Sequence, residues 1–105
     1  MNDMSIKEKY DLCMRMSDRV KRAKCMSALN RELIRRGLQA ELDAINMYEN
    51  IAQITNSNLI RSVVEDIIKE EKQHVGEFIS ILVMIDEDQM EGLKKGREEV
   101  EEIRD

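Results

Sequence analysis

Glu71 and His74 stand three residues apart, and Glu41 precedes Glu71 by thirty. On a helix, residues at i and i+3 project to the same side one turn apart. A carboxylate and an imidazole at that spacing can therefore grip one metal ion. Carboxylate-bridged di-metal centres in helical bundles use two such Glu-x-x-His pairs and a lone glutamate from each of two further helices. This chain supplies half of that set, with Glu41 as the lone carboxylate. Two copies across a two-fold axis would place four glutamates and two histidines around two metals. Oxygen-rich ligation with one imidazole per metal suits iron first, and manganese and zinc stay open. Tyr48, seven residues or two turns beyond Glu41, can bring a hydroxyl toward a ligand from the same face.

These residues need two helices to position them. Stepping alternately by four and three, Ile34, Leu38, Glu41, Ile45, Tyr48 and Ala52 form one helical face. Val64, Ile67, Glu71, His74, Phe78 and Ile81 form another. Folding back at the polar run Thr55, Asn56, Ser57, Asn58 makes an antiparallel hairpin in which position i lies opposite roughly 112 to 115 minus i. Glu41 then falls level with Glu71 and His74, inside an otherwise apolar seam. An unpaired charge there costs several kcal/mol and calls for a partner, and a metal ion is the natural one. The plainer reading of each feature also stands. Glu70 and His74 could be an i, i+4 surface pair, and Tyr48 could be core with its hydroxyl at the rim. Asp43 and Glu77 could attract cations or simply be solvated.

The chain of 105 residues has no proline, four glycines, 42% hydrophobic and 37% charged residues, a profile that favours long helices over sheet. The expected fold class is all-α. We divide it into a basic helical extension over 1–26 and a helical hairpin plus C-terminal helix over 27–105. Ser5 with Glu8 makes a capping-box pattern that starts a first helix running from Ile6 to about Lys24. Ser27 is the expected cap of a second helix reaching Ile54, Asn58 of a third reaching Ile85, and a last helix begins near Asp86. Cys13 and Cys25 are too few and too far apart to suggest a disulfide framework, so both are expected to be reduced, in a cytosolic setting. Nothing resembles a signal peptide or a membrane span. Residues 1–40 hold ten Lys or Arg against five acids, and residues 41–105 hold seven against seventeen. Without glycine-rich loops or aromatic platforms the basic half does not suggest nucleic-acid binding. It reads better as a face complementing the acidic half of a neighbouring subunit. A second apolar stripe on each central helix (Ala44, Met47 and Ile51; Ile68, Val75 and Ile79) means that each is covered on more than one side, and another copy of the chain is the expected cover.

The run Ala40-Glu-Leu-Asp-Ala-Ile-Asn-Met-Tyr-Glu-Asn-Ile-Ala52, followed by Glu70-Glu71-Lys-Gln-His74-Val-Gly-Glu-Phe78, resembles the encapsulated ferritin-like proteins, most closely their archaeal branch. Ile85-Asp-Glu-Asp-Gln-Met90 with Gly92-Leu-Lys-Lys-Gly96 looks like the family's short third helix, so the likeness spans about Leu33 to Val100. The resemblance implies a half-length ferritin-like subunit whose dimer rebuilds a four-helix bundle and whose di-iron centre is a ferroxidase. It also implies a ring of dimers, commonly a decamer, that passes oxidised iron into the lumen of an encapsulin shell, a nanocompartment in the cytoplasm. By the same resemblance Glu41, Glu71 and His74 are metal ligands, Glu71 is the bridge, and Tyr48 sits beside the centre. Ala40 stands where bacterial members carry an entry-site acid, while Asp43 keeps another such position. No shell-targeting tail is legible up to Asp105, which suggests a cargo domain from a shell fusion or loading by other means. Two other readings remain: a non-catalytic helical adaptor with a structural metal, and a rubrerythrin-like peroxide reductase. The second lacks the rubredoxin-type cysteine cluster that would feed it electrons.

Overall fold

The computed structural model describes residues 4–104, and every regular element in that span is an α-helix. In chain order these are α1 (Ile6–Met14), α2 (Arg19–Ile54), α3 (Asn58–Ile85) and α4 (Glu87–Arg104). The chain divides after Leu33, within α2, into two compact units.

In the first unit, Ser5 caps α1 by accepting from the Glu8 amide at 3.1 Å, as its capping pattern predicts. The helix does not continue to Lys24. It stops at Met14, and Asp18 starts α2 by accepting from the Val20 and Lys21 amides at 2.9 and 3.0 Å. Asp18 thus takes the capping role expected of Ser27, which lies inside α2 with its hydroxyl accepting from Arg31. The early break also overturns the expectation of two reduced cysteines. Along one continuous helix Cys13 and Cys25 would stand about 18 Å apart. The reversal at 15–18 instead brings their Cα atoms to 5.4 Å, and the two sulfurs are bonded. Among the described residues of this unit Cys13 and Leu29 are the buried apolar ones, and Lys9 donates to both carboxylate oxygens of half-buried Glu32 at 2.8 and 2.9 Å. A nine-residue helix is too short to persist by itself, so α1 depends on these three ties.

In the second unit, α2 from Ile34 onward and α3 form an antiparallel hairpin, and α4 follows α3 after a break at Asp86 and contacts it. The turn is stapled by Arg61. Its guanidinium donates to the carbonyls of Ala52, at 3.0 Å, and of Thr55, two of the acceptors that the end of α2 leaves without helical partners. Ser57, one residue before the expected Asn58, caps α3 by accepting from the Ile60 amide at 3.2 Å. At the far end, Asp86 closes α3 by donating its amide to Leu82 O and opens α4 by accepting from the Gln89 amide, and its carboxylate pairs with Arg35 on α2.

Ile45, Val64, Ile68 and Leu82 form the buried core of the hairpin. Gly37 lies within α2, where glycine costs about 1 kcal/mol relative to alanine. The reason for it is spatial: a Cβ there would stand 2.5 Å from Cε1 and 2.8 Å from Cζ of Phe78 on α3. Much apolar surface stays uncovered, including Met47 at 52%, Val63 at 50% and Met84 at 82% exposure.

Two outcomes are expected. Reducing the disulfide should cost the first unit about 3 kcal/mol, the figure for a closed loop of this size. Hydrogen exchange should then show α1 amides losing protection while those of α3 keep theirs. Arg61→Ala should lower stability to urea by about 1 to 3 kcal/mol, because part-buried carbonyls lose their donor.

Candidate metal centre

The hairpin register sets the site. Glu41 faces His74, Gly37 faces Phe78 and Ala52 faces Arg61, each at the level that the sequence stripes predict. His74 Nδ1 lies 3.6 Å from Glu41 Oε1 and 3.9 Å from Glu71 Oε1. One donor atom from each of the three residues falls within a sphere of mutual distances under 4.8 Å. The two carboxylates are mostly buried, with 21% and 18% of their side chains exposed, while His74 is 44% exposed.

Each position has a local cause. Glu71 and His74 share one face of α3 because they are one turn apart, and Glu41 reaches them because its stripe on α2 points into the same seam. The turn at 55–57 and its Arg61 staple hold the two stripes in step. Glu70, the alternative partner of His74, is exposed and makes no ion pair with it.

Two carboxylates brought together with a single imidazole put more acidic than basic groups in the seam. Like charges this close disfavour each other, and a divalent cation reverses that balance. The donor set of two carboxylate oxygens and one imidazole nitrogen fits a hard or borderline metal such as Fe(II), Mn(II) or Zn(II). Three protein donors also leave coordination positions for a reactant or for further ligands.

Tyr48 is half-buried on the same face of α2, and its hydroxyl makes no hydrogen bond among the described residues. Asp43 accepts from Gln39 at 3.0 Å, one turn back on the exposed side of α2, and Glu77 is exposed. Three neighbours escaped the sequence reading. The Phe78 ring seated against Gly37 lies one turn from both Glu41 and His74, and the Arg35–Asp86 pair lies just beyond it. Lys72, between Glu71 and His74, reaches Glu49 at 4.0 Å. A glycine inside a long amphipathic helix was the one signal that could have revealed the first of these.

Over 72 residues, 69% of this chain, the sequence is 44% identical to a ferritin-like-encapsulin shell fusion protein of Pyrococcus furiosus. The chain spans about a fifth, 21%, of that relative's length. The fold is similar to the crystal structure of the encapsulated ferritin domain from Pyrococcus furiosus, with a TM-score of 0.70 and 42% identity. That likeness covers 72% of this chain and 78% of the other. No family model matches the chain.

The crowded carboxylates give a prediction whose sign depends on metal. Without metal, Glu71→Gln should leave thermal stability unchanged or raised, because a repulsion is removed. With Mn(II) or Zn(II) at about a hundredfold excess over its dissociation constant, the unaltered protein should gain roughly 2.7 kcal/mol. Glu71→Gln and His74→Ala should lose most of that gain in thermal melts.

Proposed function

Because this chain belongs to the encapsulated ferritin-like family, we propose that it is a ferroxidase subunit that oxidises Fe(II) at a centre shared between two copies. The observation that carries the reading is the convergence of Glu41, Glu71 and His74 on the hairpin seam. Fe(II) is the substrate as well as the occupant of the centre. Bound iron would supply the one-electron chemistry, with dioxygen accepting the electrons.

The chain's own residues do the rest. Glu41 and Glu71 neutralise the incoming cations, and their charge favours the ferric over the ferrous state because the ion gains charge on oxidation. Glu71 and His74, one turn apart on α3, would hold the ions together with Glu41. The apolar residues of the seam, Ile45 and Ile68 among them, hold water away and strengthen these attractions. Tyr48, on the same face of α2, would offer its hydroxyl to a group bound at the centre.

One hairpin supplies three donors, and a two-metal centre needs about twice as many. The uncovered apolar surface of Met47, Val63 and Ile60 supports a second copy as the missing half. Two hairpins across a two-fold axis make a four-helix bundle, and dimers of this kind would build a ring such as a decamer. The shell fusion relative supports an encapsulin shell as the partner and the interior of a cytoplasmic nanocompartment as the location. A rubrerythrin-like peroxide reductase gains no support, since Cys13 and Cys25, the two cysteines of the chain, are bonded to each other.

An anaerobic Fe(II) titration tests the proposal. Saturation near one iron per chain, followed by ferric absorbance when air is admitted, is expected, and both should be lost in Glu41→Ala and His74→Ala. Iron uptake without oxidation, with Glu71→Ala falling to monomers, would instead support a structural metal in an adaptor.

A further inference from the structure

We propose that Gly37 and Phe78 form the spacer that fixes how far apart α2 and α3 stand at the metal centre, and so act as positioning residues for Glu41 and His74. The inference rests on the ferroxidase reading of that centre and extends it to residues that bind no metal.

Gly37 is the only glycine of the four whose place a neighbouring side chain needs. A Cβ on it would come within 2.5, 2.8 and 3.2 Å of three ring carbons of Phe78. Equivalent atoms on Gly76 and Gly96 would meet nothing within 4 Å, and one on Gly92 would approach only Gln89 Nε2, at 3.8 Å. Phe78 is the single phenylalanine of the chain.

The location of this close approach ties it to the chemistry. Gly37 is one turn before Glu41 on α2, and Phe78 is one turn after His74 on α3. In an antiparallel pair both therefore sit at the same level, about 6 Å along the hairpin from the ligands. Helix separation depends on the side chains at the point of contact, within about 8 to 10 Å, and a ring resting on bare backbone selects a close spacing. Glutamate and histidine side chains have fixed reach. The 3.6 Å approach of His74 Nδ1 to Glu41 Oε1 across the seam depends on that spacing. Arg35 and Asp86 pair on the far side of the ring, so the helices are tied beyond the notch as well. A side chain at position 37 would therefore wedge the hairpin open at the end nearest the ligands.

Co(II) is the probe, because its visible spectrum reports ligand geometry directly. Titrations would be run on the unaltered protein, Gly37→Ala, Phe78→Ala and the double variant Gly37→Ala/Phe78→Leu, with helix content followed by circular dichroism. Gly37→Ala should keep its helix content, since alanine is the better helix former. Its Co(II) affinity should fall by roughly 10- to 100-fold, the usual cost of losing a residue that orients metal ligands, and its visible band should shift. The double variant removes the ring atoms that the new Cβ would meet, and should recover most of the affinity and the original band. Phe78→Ala tests the other half of the contact and should shift the band even if Gly37→Ala does not fold. Unchanged affinity and spectrum in folded Gly37→Ala or in Phe78→Ala would overturn the spacer. Failure of the unaltered protein to take up Co(II) would instead remove the metal centre itself, and the spacer with it.

Discussion

Two carboxylates held against one imidazole in a narrow helical seam are a configuration that the protein must tolerate before any metal arrives. Glu41 and Glu71 are largely withdrawn from water, and His74 is the basic group that lies within 4 Å of both. The free energy this costs has to come from the rest of the hairpin. It comes from the buried residues Ile45, Val64, Ile68 and Leu82, and from ties at both ends, Arg61 at the turn and Arg35 with Asp86 at the open end. The hairpin thus brackets a cluster of acidic groups, whose charges a bound cation would turn into an attraction.

A single copy brackets that cluster on one side only. The helices bury one stripe each and leave apolar side chains such as Met47 and Val63 half in water. A partner copy seated on these side chains would add hydrophobic stabilisation that one hairpin lacks. Completing the fold and completing the metal centre would then be one event, so that metal and partner copy stabilise each other through linkage.

The parts of this architecture that repeat every turn were visible in the chain itself. The stripes through Glu41 and through Glu71 and His74 predicted the hairpin, its register and the convergence of three donors, because helical periodicity carries over directly into facing positions. Resemblance in the same segments pointed to the family that the comparisons support. The errors arose where one local interaction outweighed periodicity. Asp18 offers a carboxylate to two free amides and starts a new helix where the pattern otherwise runs on, and the break before it brings two cysteines within bonding distance. The reason for Gly37 lies in a ring forty-one residues away, which no local pattern reports. Tyr48 shares the ligand face as expected, but a shared face says nothing about whether a hydroxyl reaches a partner.

Asp86 has a consequence for how this fold can vary. Its backbone amide ends α3, its carboxylate begins α4, and the same carboxylate holds Arg35. Asparagine would keep the cap and lose the charge. Glutamate would keep the charge, but its longer side chain is a poor cap. Alanine would lose both. No single substitution preserves all three functions, so a lineage can alter this corner only by changing Arg35 or the start of α4 at the same time. Sequence drift among descendants of this chain should therefore be slow and correlated at the open end of the hairpin, and freer along the exposed length of α4, where charged residues are interchangeable.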